Sequence, residues 1–303
     1  MTTPATGAIT ATDPSPSALP ELEGREAASL VRVLLVLTAG ASGVIGLLLY
    51  AACGSAEGGM TWFAWRVGDP ATAVVLGAGF LGAVPMLLHA ATRLLWQQLR
   101  IPVVAAFALL AGLLGVTLTH LGALRFDGQL IAMALSIAWL LGVGGLVLGT
   151  LFACGAQLLE PGLPLSRRAP LPRWALPPIA VLGSALLGLG LGLLVKPAFW
   201  GSLLPWRVDA VDARMLGAWG LALGVALLGA LVEDDLDRLR SGLLGLTTIG
   251  LLGLIGLGWQ HDRIDWSTWS AALTLLVLAG LAATGLTGLA LERRARRTDR
   301  RER

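Results

Sequence analysis

Eight runs of about twenty apolar residues dominate this chain. They fall at 29–53, 71–92, 101–122, 129–156, 175–196, 215–232, 242–259 and 270–291. A run of that length matches the ~30 Å hydrocarbon core of a bilayer. Inside a bilayer the backbone must satisfy its own hydrogen bonds, which a helix does within one segment. The sequence therefore predicts an all-α fold, a polytopic bundle of eight transmembrane helices. Only 14% of residues are charged and the mean hydropathy is +0.76, whereas roughly a quarter of a soluble domain is charged. That excludes a soluble enzyme, a secreted disulfide scaffold and a nucleic-acid-binding domain.

Charge divides the chain and orients it. Residues 1–28 are rich in Thr, Pro, Ser and Ala and read as a disordered cytoplasmic tail. Two membrane units follow, 29–157 and 175–292, joined by a Pro/Arg-rich cytoplasmic linker at 158–174; residues 293–303 form a basic cytoplasmic tail. With the N-terminus inside, sixteen basic residues lie on the cytoplasmic side, seven of them in the last tail. Six lie outside: Arg66, Arg125, Lys196, Arg207, Arg214 and Arg263. The positive-inside rule then places both termini in the cytoplasm. The bias of twenty-one arginines to one lysine suggests a high-GC bacterial genome, hence a bacterial inner membrane. Pro102, Pro177 and Pro178 are expected in first helical turns, and Pro85 in mid-span, where it should kink the helix.

The chain also repeats itself. Trp65-Arg66-Val67 recurs as Trp206-Arg207-Val208, Asp69 as Asp209, Leu76-Gly77-Ala78 as Leu216-Gly217-Ala218, and Arg100 as Arg240; Arg125-Phe126-Asp127 pairs with Arg263-Ile264-Asp265. Two tandem four-helix units of like orientation are implied, related by an axis along the membrane normal. Trp-x-x-x-Asp (Trp65 to Asp69), shortened by one residue at Trp206 to Asp209, followed by Ala-x-x-Leu-Gly-Ala, especially in Trp206 through Ala218, resembles the repeated signature of uncharacterised bacterial eight-span integral membrane proteins. Thr119-His120-Leu121 with Arg125-Phe126-Asp127 resembles a second signature of that group. The resemblance implies the two-unit architecture and no established activity.

Few residues offer chemistry. Gly40-Ala41-Ser42-Gly43 matches the GxSG around the rhomboid nucleophile, with His89 and His120 as candidate bases, but the order of spans is wrong and small-residue packing explains it. The histidines and the cysteines, Cys53 and Cys154, lack metal-ligand spacing, so no cofactor is expected. Gly145-x-x-x-Gly149, Gly188-x-x-x-Gly192 and Gly220-x-x-x-Gly224 read as helix contacts within the chain, or else a homodimer or membrane-protein interface. Glu233-Asp234-Asp235 with Asp237 reads as a solvated charged loop. Mid-span charges are almost absent, which counts against an ion-coupled carrier.

The outer face is where function is expected. Seven of eleven tryptophans cluster there, and Arg and Asp recur in both units. Local Arg–Asp pairs, helix caps and tryptophan anchors account for much of that pattern. The functional expectation is an outward-facing pocket between the units, formed by Arg66, Asp69, Arg125, Asp127, Arg207, Asp209, Arg263 and Asp265. Trp65, Trp206, Trp259 and Trp266 would rim it. Such a pocket suits an amphipathic ligand, head group on arginine and apolar part on indole. The reading is a non-enzymatic binding, scaffolding or permease-like component whose partners are membrane lipids and not nucleic acid. The alternative is an intramembrane enzyme acting on lipid-linked or peptide substrates.

Overall fold

The computed structural model describes residues 26–51, 64, 65, 67–126, 130–158 and 169–302. They form α1 (Ser29–Ala51), α2 (Pro70–Ala91), α3 (Trp96–Thr119), α4 (Leu130–Leu158), α5 (Leu176–Val195), the short α6 (Pro197–Gly201), α7 (Ala210–Glu233), α8 (Leu236–Trp259) and α9 (Trp269–Glu302). All but α6 are long and apolar enough to cross a membrane, eight in all. Among the described residues the only β-structure is two isolated bridges, Glu26 to Leu95 and Trp65 to Leu124.

Local sequence sets the helix ends. Asp69 caps α2 ahead of Pro70, Asp209 caps α7, and Pro177 and Pro178 occupy the first turn of α5. Three helices extend beyond the apolar runs. α3 begins at Trp96, so Pro102 lies inside the helix rather than in its first turn. α7 begins at Ala210 rather than 215, and α8 at Leu236 rather than 242. Hydropathy stops at the first charges, but capped or paired charges remain helical. For the same reason α9 runs on through the basic tail to Glu302, its Glu292 paired with Arg296 one turn later.

Helix packing follows one pattern twice. α1 lies along α2, and α5 along α7. α2 crosses to α8, and α7 crosses to α3. α9 packs along α8, and α4 more sparingly along α3. Glycine permits the closest crossings. A Cβ on Gly46 would sit 2.6 Å from the backbone nitrogen of Leu81, and one on Gly190 2.3 Å from that of Leu221. The GxxxG motifs split accordingly. Gly220, Gly224, Gly149 and Gly192 meet residues of this chain, whereas Gly188 and Gly145 face open space.

The arginine-rich end is bound by charge. α7 and α8 are joined through Asp234, at φ 46°, and Asp235, which caps α8. Glu233 and Asp235 are buried, which corrects the expectation of a solvated loop. Their charge is met inside the protein: Glu233 pairs with Arg100 of α3 and with Arg238 (3.2 Å), and Asp235 with Arg238 (3.5 Å). Arg240 and Arg296 both reach the buried Glu292, and Arg296 also reaches Asp237 at 2.5 Å. Burial pushes the nearby Arg93 guanidinium below its ordinary value, partly offset by Asp237. The end of the linker docks here, with Leu171 donating its N–H to Asp234 (3.1 Å).

Candidate functional site: the tryptophan-rich end

Two tryptophans tie the halves together at the opposite end. Trp65 is buried against Trp139, with ring centroids 4.7 Å apart, and its Nε1–H donates to Asp212 of α7 at 3.4 Å. Trp206 is also buried, and its Nε1–H donates to the Thr72 hydroxyl of α2 at 2.8 Å. Each indole therefore reaches from its own half into the first turns of the other half's crossing helix. Asp212 is fully buried and also accepts the Gly68 N–H at 2.8 Å.

The expected carboxylates are occupied by backbone. Asp69 accepts from the N–H of Ala71 and Asp209 from that of Asp212, both at 2.8 Å. Asp265 accepts from the N–H and hydroxyl of Ser267. Among the described residues, no ion pair joins Arg125, Arg207 or Arg263 to these aspartates. Local Arg–Asp pairing is thus replaced by capping, because a carboxylate at a helix start finds free N–H groups closer than any guanidinium. Arg66 and Asp127 lie outside the described residues, as does Cys53.

The register of the turns at this end differs from the sequence pairing. Short 3₁₀ turns span Leu121–Ala123 and His261–Arg263. Arg125 donates its N–H to the Ala64 carbonyl (3.1 Å), and Asp265 donates its own to Pro205 (3.0 Å). Arg125 thus matches Asp265, while Arg263 closes the second turn. Arg125 is partly buried, and its Nη1 has no partner among the described residues. Trp259 is exposed beside Tyr50 (6.2 Å), and exposed Trp266 donates to the His261 carbonyl.

A polar vestibule and an apolar cavity open at this end. The vestibule, about 920 Å³, is lined by Arg207, Arg263 and Asp265 with Ser202, Ser267 and Thr268. Beneath it lies a cavity of about 350 Å³ between α2, α5, α7, α8 and α9. The two share Trp206, Trp269, Leu203, Leu204 and Ser270 as common wall. Trp200 and Trp219 complete an aromatic lining that is otherwise aliphatic apart from Ser270 and Thr274. Of the expected site residues, Arg207, Arg263, Asp265 and Trp206 come together here. Arg125, Asp69, Asp209, Trp65, Trp259 and Trp266 do not line either space. Trp219 went unrecognised in the sequence. Its signal was a tryptophan in mid-span, away from the interfacial belt.

The remaining candidates are engaged elsewhere. His89 bonds to the Ser241 hydroxyl at 2.9 Å, and His120 faces Arg214 at 2.7 Å. Ser42 of the GxSG motif lines a separate apolar space of about 80 Å³ at the centre of the bundle. Among the described residues no three His, Cys, Asp or Glu side chains group as metal ligands. No protein-family model matches the chain, and no match was found among curated proteins or solved structures.

Proposed function

We propose that this is a non-enzymatic membrane protein that binds an amphipathic ligand from the outer side of a bacterial inner membrane, with both termini cytoplasmic. The observation that carries the reading is the vestibule lying directly against the cavity, with only Leu203, Leu204, Trp206, Trp269 and Ser270 between them. Arg207 and Arg263 stand at the mouth while the neighbouring carboxylates are held by backbone N–H groups. An anionic head group would meet guanidinium there, and an apolar body would meet indole and leucine below. Pockets for such ligands are mostly apolar with a few placed polar groups.

Tandem duplication of a four-helix unit underlies the reading. The matched packing of α1–α2 with α5–α7 and of α2–α8 with α7–α3, and the reciprocal Trp65 and Trp206 bonds, are what two fused copies would give. Buried positions 132, 139, 143, 150 and 153 of α4 recur in α9 at 271, 278, 282, 289 and 292. On that correspondence Trp139 matches Leu278, and on the 140-residue offset of the caps Asp69 and Asp209 Phe80 matches Gly220. In the first unit Phe80 and Trp139 pack together, ring centroids 6.4 Å apart. In the second, Gly220 and Leu278 line the cavity.

Binding of tritiated stearate to the purified chain in nanodiscs tests the proposal. Arg207→Gln with Arg263→Gln should weaken it about tenfold or more, given that charge-assisted hydrogen bonds contribute ~1.5–3 kcal/mol each. Ala185→Trp, placed on an exposed residue of the cavity wall, should abolish it. Saturable binding unaffected by either change would defeat the assignment.

A further inference from the structure

The cavity has a side that faces neither the vestibule nor the core, between α5 and α9. These helices run antiparallel, α5 ending and α9 beginning at the tryptophan-rich end. They meet at Leu182 and Gly280, where a Cβ on the glycine would lie 3.6 Å from the leucine side chain. Equal rise along both helices then sets the register. Ala185 stands level with Val277, Leu189 with Leu273, and Leu193 with Trp269. All six line the cavity. From the Gly280 contact outward, α5 and α9 therefore face each other across it.

This seam reaches the outside of the bundle at hydrocarbon depth. Ala185 is exposed and Leu273 is 46% exposed, whereas Leu186 and Leu281 in the same cavity wall are 5% and 1% exposed. One turn away lie Val181 and Leu276, both strongly exposed, so Ala185 and Leu273 form the lips of the seam. Ala185 lies ten residues inside the end of α5, and Leu273 four inside the start of α9. At 1.5 Å per residue these are depths of about 15 Å and about 6 Å. A bundle that spans a bilayer is surrounded there by acyl chains and not by water.

The vestibule stands over the head of the same seam. It is lined by Ala198 and Gly201 of α6, which follows α5, and by Arg263, Asp265 and the residues leading into α9. Trp269 is exposed and belongs to both spaces. A lipid standing in the seam would have its head group level with Arg207 and Arg263 and a chain level with the cavity. At ~30 Å³ for each methylene, the share of a liquid water, the cavity of about 350 Å³ holds about a dozen. That is one acyl chain and not two.

We propose that the cavity takes one acyl chain of a two-chain anionic phospholipid, drawn sideways from the bilayer through the α5–α9 seam while the second chain stays among the surrounding lipid. This rests on the binding role proposed above and specifies its ligand and its route. The phosphate meets the guanidinium groups of Arg207 and Arg263, whose planar forks suit it. The wall of Leu203, Leu204, Trp206, Trp269 and Ser270 is not crossed. Head group and chain stay on their own sides of it and are joined along the seam.

The test delivers phosphatidylglycerol with a mid-chain diazirine from vesicles to the full chain in phosphatidylcholine nanodiscs. Photolysis and mass spectrometry then map the labelled residues. Buried Leu186 and Leu281 should be labelled as well as Leu141, which is exposed in mid-span on α4. In Arg207→Gln with Arg263→Gln the buried labelling should fall about tenfold relative to Leu141. The route is read separately. Gly188→Cys with Leu276→Cys, in a chain carrying Cys53→Ser and Cys154→Ser, puts one thiol on the lipid side of each lip, and neither position lines the cavity. Linking them with a cleavable bis-maleimide before the lipid is delivered should cut the buried labelling to the level of the double arginine variant. Cleaving the linker with reductant should restore it, which is also the check on folding. Buried labelling that persists through the linked seam would overturn the lateral route. Buried labelling by diazirine-stearate but not by the phospholipid would overturn the two-chain ligand and leave the binding role standing. Failure of both compounds to label Leu186 and Leu281 would overturn the binding role itself.

Discussion

Trp65 and Trp206 do more than anchor the chain at an interface. Each donates across the molecule, to Asp212 and to Thr72, from a buried position. A neutral hydrogen bond of this kind contributes about 1 kcal/mol net. Trp206→Phe and Thr72→Val should each lower stability, and the double variant should cost about 1 kcal/mol less than their sum. Strict additivity in detergent unfolding would show that the bond does not couple the halves. At the other end, Glu233 is fully buried between Arg100 and Arg238. Removing one partner of a buried charge cluster costs roughly 3–5 kcal/mol. Arg100 is 42% exposed and can return to water, so Glu233→Ala should fall near the lower figure, about 3 kcal/mol. Glu233→Gln should cost less, because it keeps acceptor and shape. A thermal midpoint for Glu233→Ala equal to wild type would remove the cluster from any role in holding α3, α7 and α8 together.

At the scale of the helix, spacing alone misjudges which glycines matter. Gly188 and Gly192 form a motif by sequence, but Gly188 faces open space. The close approach is made by Gly190, between them, against Leu221 of α7. Gly190→Ala should therefore destabilise the α5–α7 pair and lower the unfolding midpoint, while Gly188→Ala should be neutral or slightly stabilising. The reverse order would mean that the crossing lies elsewhere. The number and order of the spans were legible because length and hydropathy decide them. Helix starts at Trp96, Ala210 and Leu236 were not, because a capped or paired charge looks the same in sequence as a solvated one. The expected pocket drew charges from both units, whereas the vestibule is lined by the second unit alone. Arg207, Arg263, Asp265 and Trp206, singled out by recurrence of charge beside tryptophan, do share one space. The cavity itself was not found, because it lies between α2, α5, α7, α8 and α9, and how five helices pack together leaves no local motif.

For the molecule as a whole, eight helices are long and apolar enough to cross a membrane, and an even number of crossings would put the two chain ends on one side. Which side is a matter of charge. The end of the bundle where α3, α7, α8 and α9 join in ion pairs carries most of the arginines, and the other end carries most of the tryptophans. Pairing within the protein does not cancel the topogenic signal, because Lys and Arg set orientation during insertion, before the bundle packs, and acidic residues count for little. Arg293 and Arg294 add exposed charge one turn beyond the apolar part of α9. Sixteen basic residues against six therefore predict cytoplasmic ends and a vestibule that faces outward. Reporter fusions made after Gly128 and after Arg303 check this directly. An alkaline phosphatase fusion should be active at Gly128 and silent at Arg303, and a cytoplasmic fluorescent reporter should show the opposite. Activity at both positions would break the even count of spans. A full reversal would keep the bundle intact but turn Arg207 and Arg263 toward the cytoplasm, and the ligand would then have to be sought on that side.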